Sequence, residues 1–125
     1  MGRVMLYGAV LVLQLAGCAS SGESRRGSGA ITAEELAAVS TSDCLEAVRT
    51  LRPQWLRSRA APTPRDPNPT PRVVVDGNAR GGLEELSLIP ASDVASIDYM
   101  SASDATIRFG TGFPGGAIVV RTRRR

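Results

Sequence analysis

The chain has 125 residues, 42% hydrophobic and 22% charged, with a formal net charge of +3. That is one small domain's worth of chain, since domains usually run to roughly 100–200 residues. There is no His and all fifteen basic residues are Arg, which excludes His-based triads, His-zinc sites, lysine Schiff bases and a phosphate-loop lysine.

Met1–Gly17 opens with one basic residue, Arg3, and continues in a largely apolar run from Val4 to Leu15. A run of about 12 residues is too short to span a bilayer, which takes roughly 20, and fits the apolar centre of a secretory signal peptide. It ends Leu15-Ala16-Gly17-Cys18. This resembles the lipobox of bacterial lipoproteins, which implies that Cys18 is acylated and becomes the first mature residue. Ala rather than Asp at position 19 implies, by the same resemblance, the outer membrane facing the periplasm. Each buried CH₂ contributes about 0.8 kcal/mol, so two or three acyl chains hold stably where one holds marginally. Processing leaves 108 residues with Cys44 as the only free thiol. No internal disulfide is then expected, and Cys44 reads as a small buried hydrophobe.

Residues 18–30 are rich in Ser, Gly and Arg and are expected to be a flexible tether. A helical segment over 31–59 follows. Thr32-Ala33-Glu34-Glu35 is a capping box that starts a short helix, Ala33–Val39. Asp43 with Glu46 starts a second, along which Leu45, Val48 and Leu51 recur at helical spacing. Pro53 should end it near Leu51 and begin a short turn through Leu56. Residues 60–71 hold five of the eight prolines, so a Pro-rich, extended linker is expected there.

From Arg72 to Arg125 the texture is that of a small α+β domain. Val73-Val74-Val75 is a strand stopped by the turn pair Asp76-Gly77, and Gly81-Gly82 prolongs the loop. Leu83, Leu86 and Ile89 suggest a helical turn, which Pro90 breaks. Ser92-Asp93 begins another turn. Ala95–Met100 reads as a strand with Ile97 and Tyr99 on one face. Ser101 or Ser103 caps a helix over Asp104–Phe109, ended by Gly110. After a Gly-rich loop, Ala117–Val120 is the last strand. The expected architecture is one mixed sheet of three to four strands with short helices.

The order of pieces over residues 72–122 resembles the later part of the plug domain of TonB-dependent outer-membrane receptors. Asp76 and Gly77 stand at its "VDG", Asp93 and Ile97 at its middle strand, Phe109 and Gly110 at its helix end, and Gly115 and Gly116 before its last strand. The resemblance implies fold-holding roles for these eight residues. Asp76-Gly77 turns the chain, Asp93 caps a turn, Phe109 packs the helix on the sheet, and Gly115-Gly116 permits a close bend. It implies no catalytic residue. A receptor continues into a many-stranded barrel where this chain reaches Arg121–Arg125, and no convincing TonB box stands near the mature N-terminus. The chain is therefore not expected to be a pore or transporter by itself.

The functional expectation is a non-enzymatic envelope lipoprotein. It is held in the membrane by lipid on Cys18 and binds another outer-membrane or periplasmic protein, without cofactor or metal. The alternative is a structural lipoprotein touching peptidoglycan or anionic lipid through its Arg-rich end. As an enzyme it would have Asp76, Asp93, Asp98 and Asp104 with Ser96 and Ser103, each of which has a turn, cap or surface explanation. A serine nucleophile would lack a base. Nucleic-acid binding is disfavoured by the export signal, the small net charge and the few aromatics.

Overall fold

A computed structural model describes residues 29–124, which build an α+β fold on one mixed, open sheet. The signal peptide and Cys18 lie outside the described residues, as does most of the tether expected at 18–30. In chain order the elements are β1 (Ile31–Thr32), α1 (Ala33–Val39), α2 (Cys44–Leu51), β2 (Arg72–Val75), β3 (Asn78–Gly81), β4 (Val94–Met100), α3 (Ala102–Phe109) and β5 (Ala117–Thr122). Short 3₁₀ turns occupy Pro53–Leu56, Leu83–Leu88 and Ala91–Asp93. The strands lie in the order β1-β4-β5-β2-β3. β5 pairs in parallel with β2 and antiparallel with β4, and the remaining neighbours are antiparallel.

The sheet has five strands where three to four were expected. Both additions are edges whose composition hides them. β1 is two residues long and pairs Ile31 with Ile97. β3 reads Asn-Ala-Arg-Gly, which has little strand preference and reads as loop from sequence alone. It forms because Asp76-Gly77 is a two-residue hairpin loop, with Val75 opposite Asn78. Both loop residues have positive φ, 49° and 87°, the signature of the mirror-image turns that suit strand twist.

The helices start where their caps require. Thr32 Oγ1 accepts from the Glu35 amide at 3.3 Å while the Glu35 carboxylate accepts from the Thr32 amide at 3.0 Å. Asp43 accepts from the Glu46 amide at 2.9 Å. In α2 the stripe turned to the core is Cys44, Ala47 and Val48, with half-buried Leu51 one turn on, the i, i+3, i+4, i+7 pattern of an amphipathic helix. Leu45 packs at its margin. Pro53 then starts the 3₁₀ turn that buries Trp55.

These helices cover one face of the sheet. Ile31, Leu36, Cys44, Ala47, Val48 and Trp55 share a core with Val73, Leu86, Val94, Ile97, Ile118 and Val120. Burying each large aliphatic chain contributes about 1.5–3 kcal/mol. The opposite face carries a smaller cluster, Val74, Ala105, Phe113, Ala117 and Val119, under α3. Arg52 ties the entry of the chain to this body. Its Nε donates to the Gly29 carbonyl at 3.0 Å and its Nη2 to Glu35 at 3.2 Å.

The Pro-rich segment is not the extended spacer its composition suggests. Ser58 Oγ donates to the Pro69 carbonyl at 2.9 Å, closing the segment into a loop. Thr63 and Asp66 exchange backbone hydrogen bonds at 2.8 and 3.1 Å inside it. Pro69 and Pro71 are fully buried. Proline lacks an N–H, so these rings enter a core with only a carbonyl to satisfy.

Candidate functional site

Of the residues singled out in the sequence, Asp76 and Gly77 lie at one end of β5 and Gly115 and Gly116 at the other. At its far end, Asp76 sits in the hairpin loop and faces Thr122. The Thr122 amide donates to Asp76 Oδ1 at 3.0 Å and its hydroxyl to Oδ2 at 2.6 Å. The Asp76 amide in turn donates to the Val120 carbonyl at 3.0 Å. These bonds hold the Asp76 carboxyl below its ordinary range, the Thr122 hydroxyl contributing most, then the Thr122 amide, with Arg124 adding a little. Gly77 occupies the tip of the loop, with open space on its Cβ side.

At the near end, Gly115 and Gly116 are squeezed. A Cβ on Gly115 would stand 2.5 Å from the Pro69 carbonyl oxygen. On Gly116, whose φ is +88°, it would stand 2.5 Å from the Met100 carbonyl oxygen. The Tyr99 hydroxyl donates to the Gly115 carbonyl at 3.2 Å, and the Tyr99 ring stacks on Trp55 with centroids 6.1 Å apart. Phe109, the last residue of α3, is half-buried against the smaller cluster, 5.7 Å from the Phe113 ring. Gly110 ends the helix with φ +90°. Ile97 is buried in the centre of the larger core.

Asp93 differs from its expected role. The turn is Ala91–Asp93, its N-cap position is Pro90, and no side chain caps it. Asp93 therefore closes the turn rather than opening it. Its carbonyl accepts from the Arg123 amide at 2.8 Å.

A concavity of about 640 Å³ opens beside the Asp76–Thr122 contact. Its wall includes Arg108, Phe109, Arg121 and Arg124. The Arg108 guanidinium lies 5.7 Å from the Phe109 ring centroid, a cation–π distance. A neighbouring depression shares Thr122 and Arg124 and adds Ser92, Asp93 and Arg123. Reading the sequence picked out Arg121–Arg125 as a basic end but missed Arg108. Its signal was weak: one Arg in the last helical turn, where cations are common anyway.

Three of the candidate carboxylates have structural places in the fold. Asp76 is occupied by Thr122, Asp104 accepts from Ser101 Oγ at 2.7 Å, and Asp98 pairs across the sheet with Val119 in mid-strand. Among the described residues no group of three or more His, Cys, Asp or Glu is placed to hold a metal ion. Cys44 is buried, and desolvation together with the Asp43 charge pushes its thiol up to about 12. No helix among the described residues is long and apolar enough to cross a membrane.

Comparison with protein-family models, with curated proteins and with solved structures finds no match in any of the three.

Proposed function

We propose that this chain is an outer-membrane-anchored envelope lipoprotein facing the periplasm, carrying a small plug-like module that acts as a non-enzymatic binding or interaction protein. The observation that carries it is Leu15-Ala16-Gly17-Cys18 at the end of an apolar run of signal-peptide length. Gly29 lies eleven positions after Cys18, a reach of at most about 40 Å. That distance suits a domain tethered at a membrane surface and presented to a neighbour.

The likeness to receptor plugs rests on the ordered pieces Asp76-Gly77, Asp93 to Ile97, Phe109-Gly110 and Gly115-Gly116. Most of these residues have packing or turn roles here. A binding module of this kind works through its surface and needs no reactive side chain.

The deciding experiment is cell fractionation with mass spectrometry of the N-terminal peptide, wild type against Cys18→Ser. The expected wild-type peptide begins at an acylated Cys18 and sits in the outer-membrane fraction, and the variant leaves that fraction. A wild-type product that keeps residues 1–17 and stays in the cytosol overturns the reading. Crosslinking from intact membranes then names the neighbour.

A further inference from the structure

Arg108 leaves the last turn of α3, Arg121 leaves β5, and Arg124 leaves the chain just beyond it; all three line the same concavity. The ion pairs among the described residues are Arg49–Glu46 and Arg52–Glu35, so none of the three is engaged in one. The one acid on the wall, Asp76, accepts two hydrogen bonds from Thr122 and stays ionised, so three guanidinium charges stand against one carboxylate there. Like charges gathered around a hollow raise the local potential and concentrate counter-ions there. Guanidinium groups present planar forks of donors that match paired oxygens of an oxyanion. The hollow, about 640 Å³, lies within the roughly 300–1,000 Å³ of ordinary ligand clefts. It has room for a phosphate with a substituent attached.

We propose that the concavity between α3 and the end of β5 is a phosphate-binding site, in which Arg108, Arg121 and Arg124 hold the phosphate oxygens. A phosphate suits the three forks better than a carboxylate, because it offers more oxygens and more charge. Phe109 braces Arg108 from one side. The site needs only residues of the described fold, so it stands or falls separately from the membrane anchor. The phosphate has two chemical sources, a soluble phosphate compound or the headgroup of an anionic phospholipid.

The test uses the full chain in neutral detergent micelles, followed by the amide NMR signals of Gly77 and Thr122. Inorganic phosphate should move them along a saturable curve, while chloride at equal ionic strength should not. Arg121→Gln should weaken phosphate binding about tenfold and Arg108→Gln/Arg121→Gln further, as expected for loss of charge-assisted hydrogen bonds. Arg49→Gln, which removes the same charge elsewhere, should leave binding unchanged. A second arm adds phosphatidylglycerol to the micelles. Shifts there as well identify the lipid headgroup as the source; shifts with inorganic phosphate alone identify a soluble one. Equal shifts with chloride, equal weakening by Arg49→Gln, or unchanged binding in the double variant would each overturn the site.

Discussion

Asp76 and Thr122 stand 46 positions apart in the chain and are joined by two hydrogen bonds onto one carboxylate, at 3.0 and 2.6 Å. The contact locks the β2–β3 hairpin to the end of β5. Asp76 takes its left-handed φ of 49° as the first residue of the hairpin turn, a conformation Asp tolerates better than most residues, and the latch helps to hold it there. The Arg-lined concavity opens directly beside it. Asp76 and Thr122 both line it, so the latch forms one wall of the site.

The latch should titrate. Because Thr122 holds the Asp76 carboxyl below its ordinary range, the folded state favours the charged form. That stabilisation is present above the unfolded carboxylate value, about 3.9, and is lost as pH falls through the lower folded value. Thr122→Val removes the hydroxyl donor at nearly constant volume. The variant should melt below wild type at pH 7, and the two curves should converge as pH drops below about 4. A difference in Tm that persists unchanged into strong acid would show that the hydroxyl acts otherwise.

Gly116→Ala should be among the costliest single changes at the other end of β5. The backbone there has φ +88°, and the new methyl would meet the Met100 carbonyl oxygen at 2.5 Å. Left-handed strain at a non-glycine residue alone costs about 1–3 kcal/mol, before the clash is relieved. A urea melt should show the midpoint falling accordingly. Gly110→Ala is the control: its φ is +90° but nothing lies within 4 Å, so it carries the strain without the clash and should fall less.

What the sequence makes legible follows from where the signal is local. The capping box at Thr32, the Asp43 cap and the stop at Pro53 involve residues three or four apart, and each falls where the pattern places it. Apolar runs such as Ala117–Val120 announce buried strands in the same way. The edge strand β3 is silent, because Asn78–Gly81 forms only as the return arm of the Asp76-Gly77 hairpin. The proline loop misleads for a related reason. Composition speaks for an extended chain, but the Ser58–Pro69 bond, the Thr63–Asp66 turn and the burial of Pro69 and Pro71 go with a chain folded back on itself. Sequence spacing likewise says nothing of Arg108 lining one concavity with Arg121 and Arg124, since a helix and a strand must first dock.

Cys44 should be chemically quiet in the native protein. Burial first, and the Asp43 charge second, push its thiol up to about 12. Only the thiolate reacts with alkylating or disulfide reagents, and an unhindered thiol near 8.5 is partly ionised at pH 8. Labelling of the native chain at pH 8 should run about a thousandfold or more slower than in denaturant. The sign for stability is the reverse of that at Asp76. A raised thiol pKa stabilises the fold below the unfolded value near 8.5 and ceases to do so as pH rises toward 12. Rapid labelling of the folded chain would mean that α2 opens locally.

The two isoleucines Ile97 and Ile107 should separate core from surface. Ile97 is fully buried in β4, facing the packed helices, while Ile107 on the outer side of α3 is 84% exposed. Ile97→Ala removes buried methylenes from a shared core and should cost about 2–5 kcal/mol, enough to unfold much of a small domain. Ile107→Ala leaves no cavity and raises helix propensity, so its effect should stay within about 0.5 kcal/mol of wild type. Equilibrium denaturation of the two variants side by side measures the contrast. If Ile107→Ala proves as costly as Ile97→Ala, the outer face of α3 is covered in solution by a second surface, and a change in sedimentation with concentration would tell a second copy of this chain from a different partner.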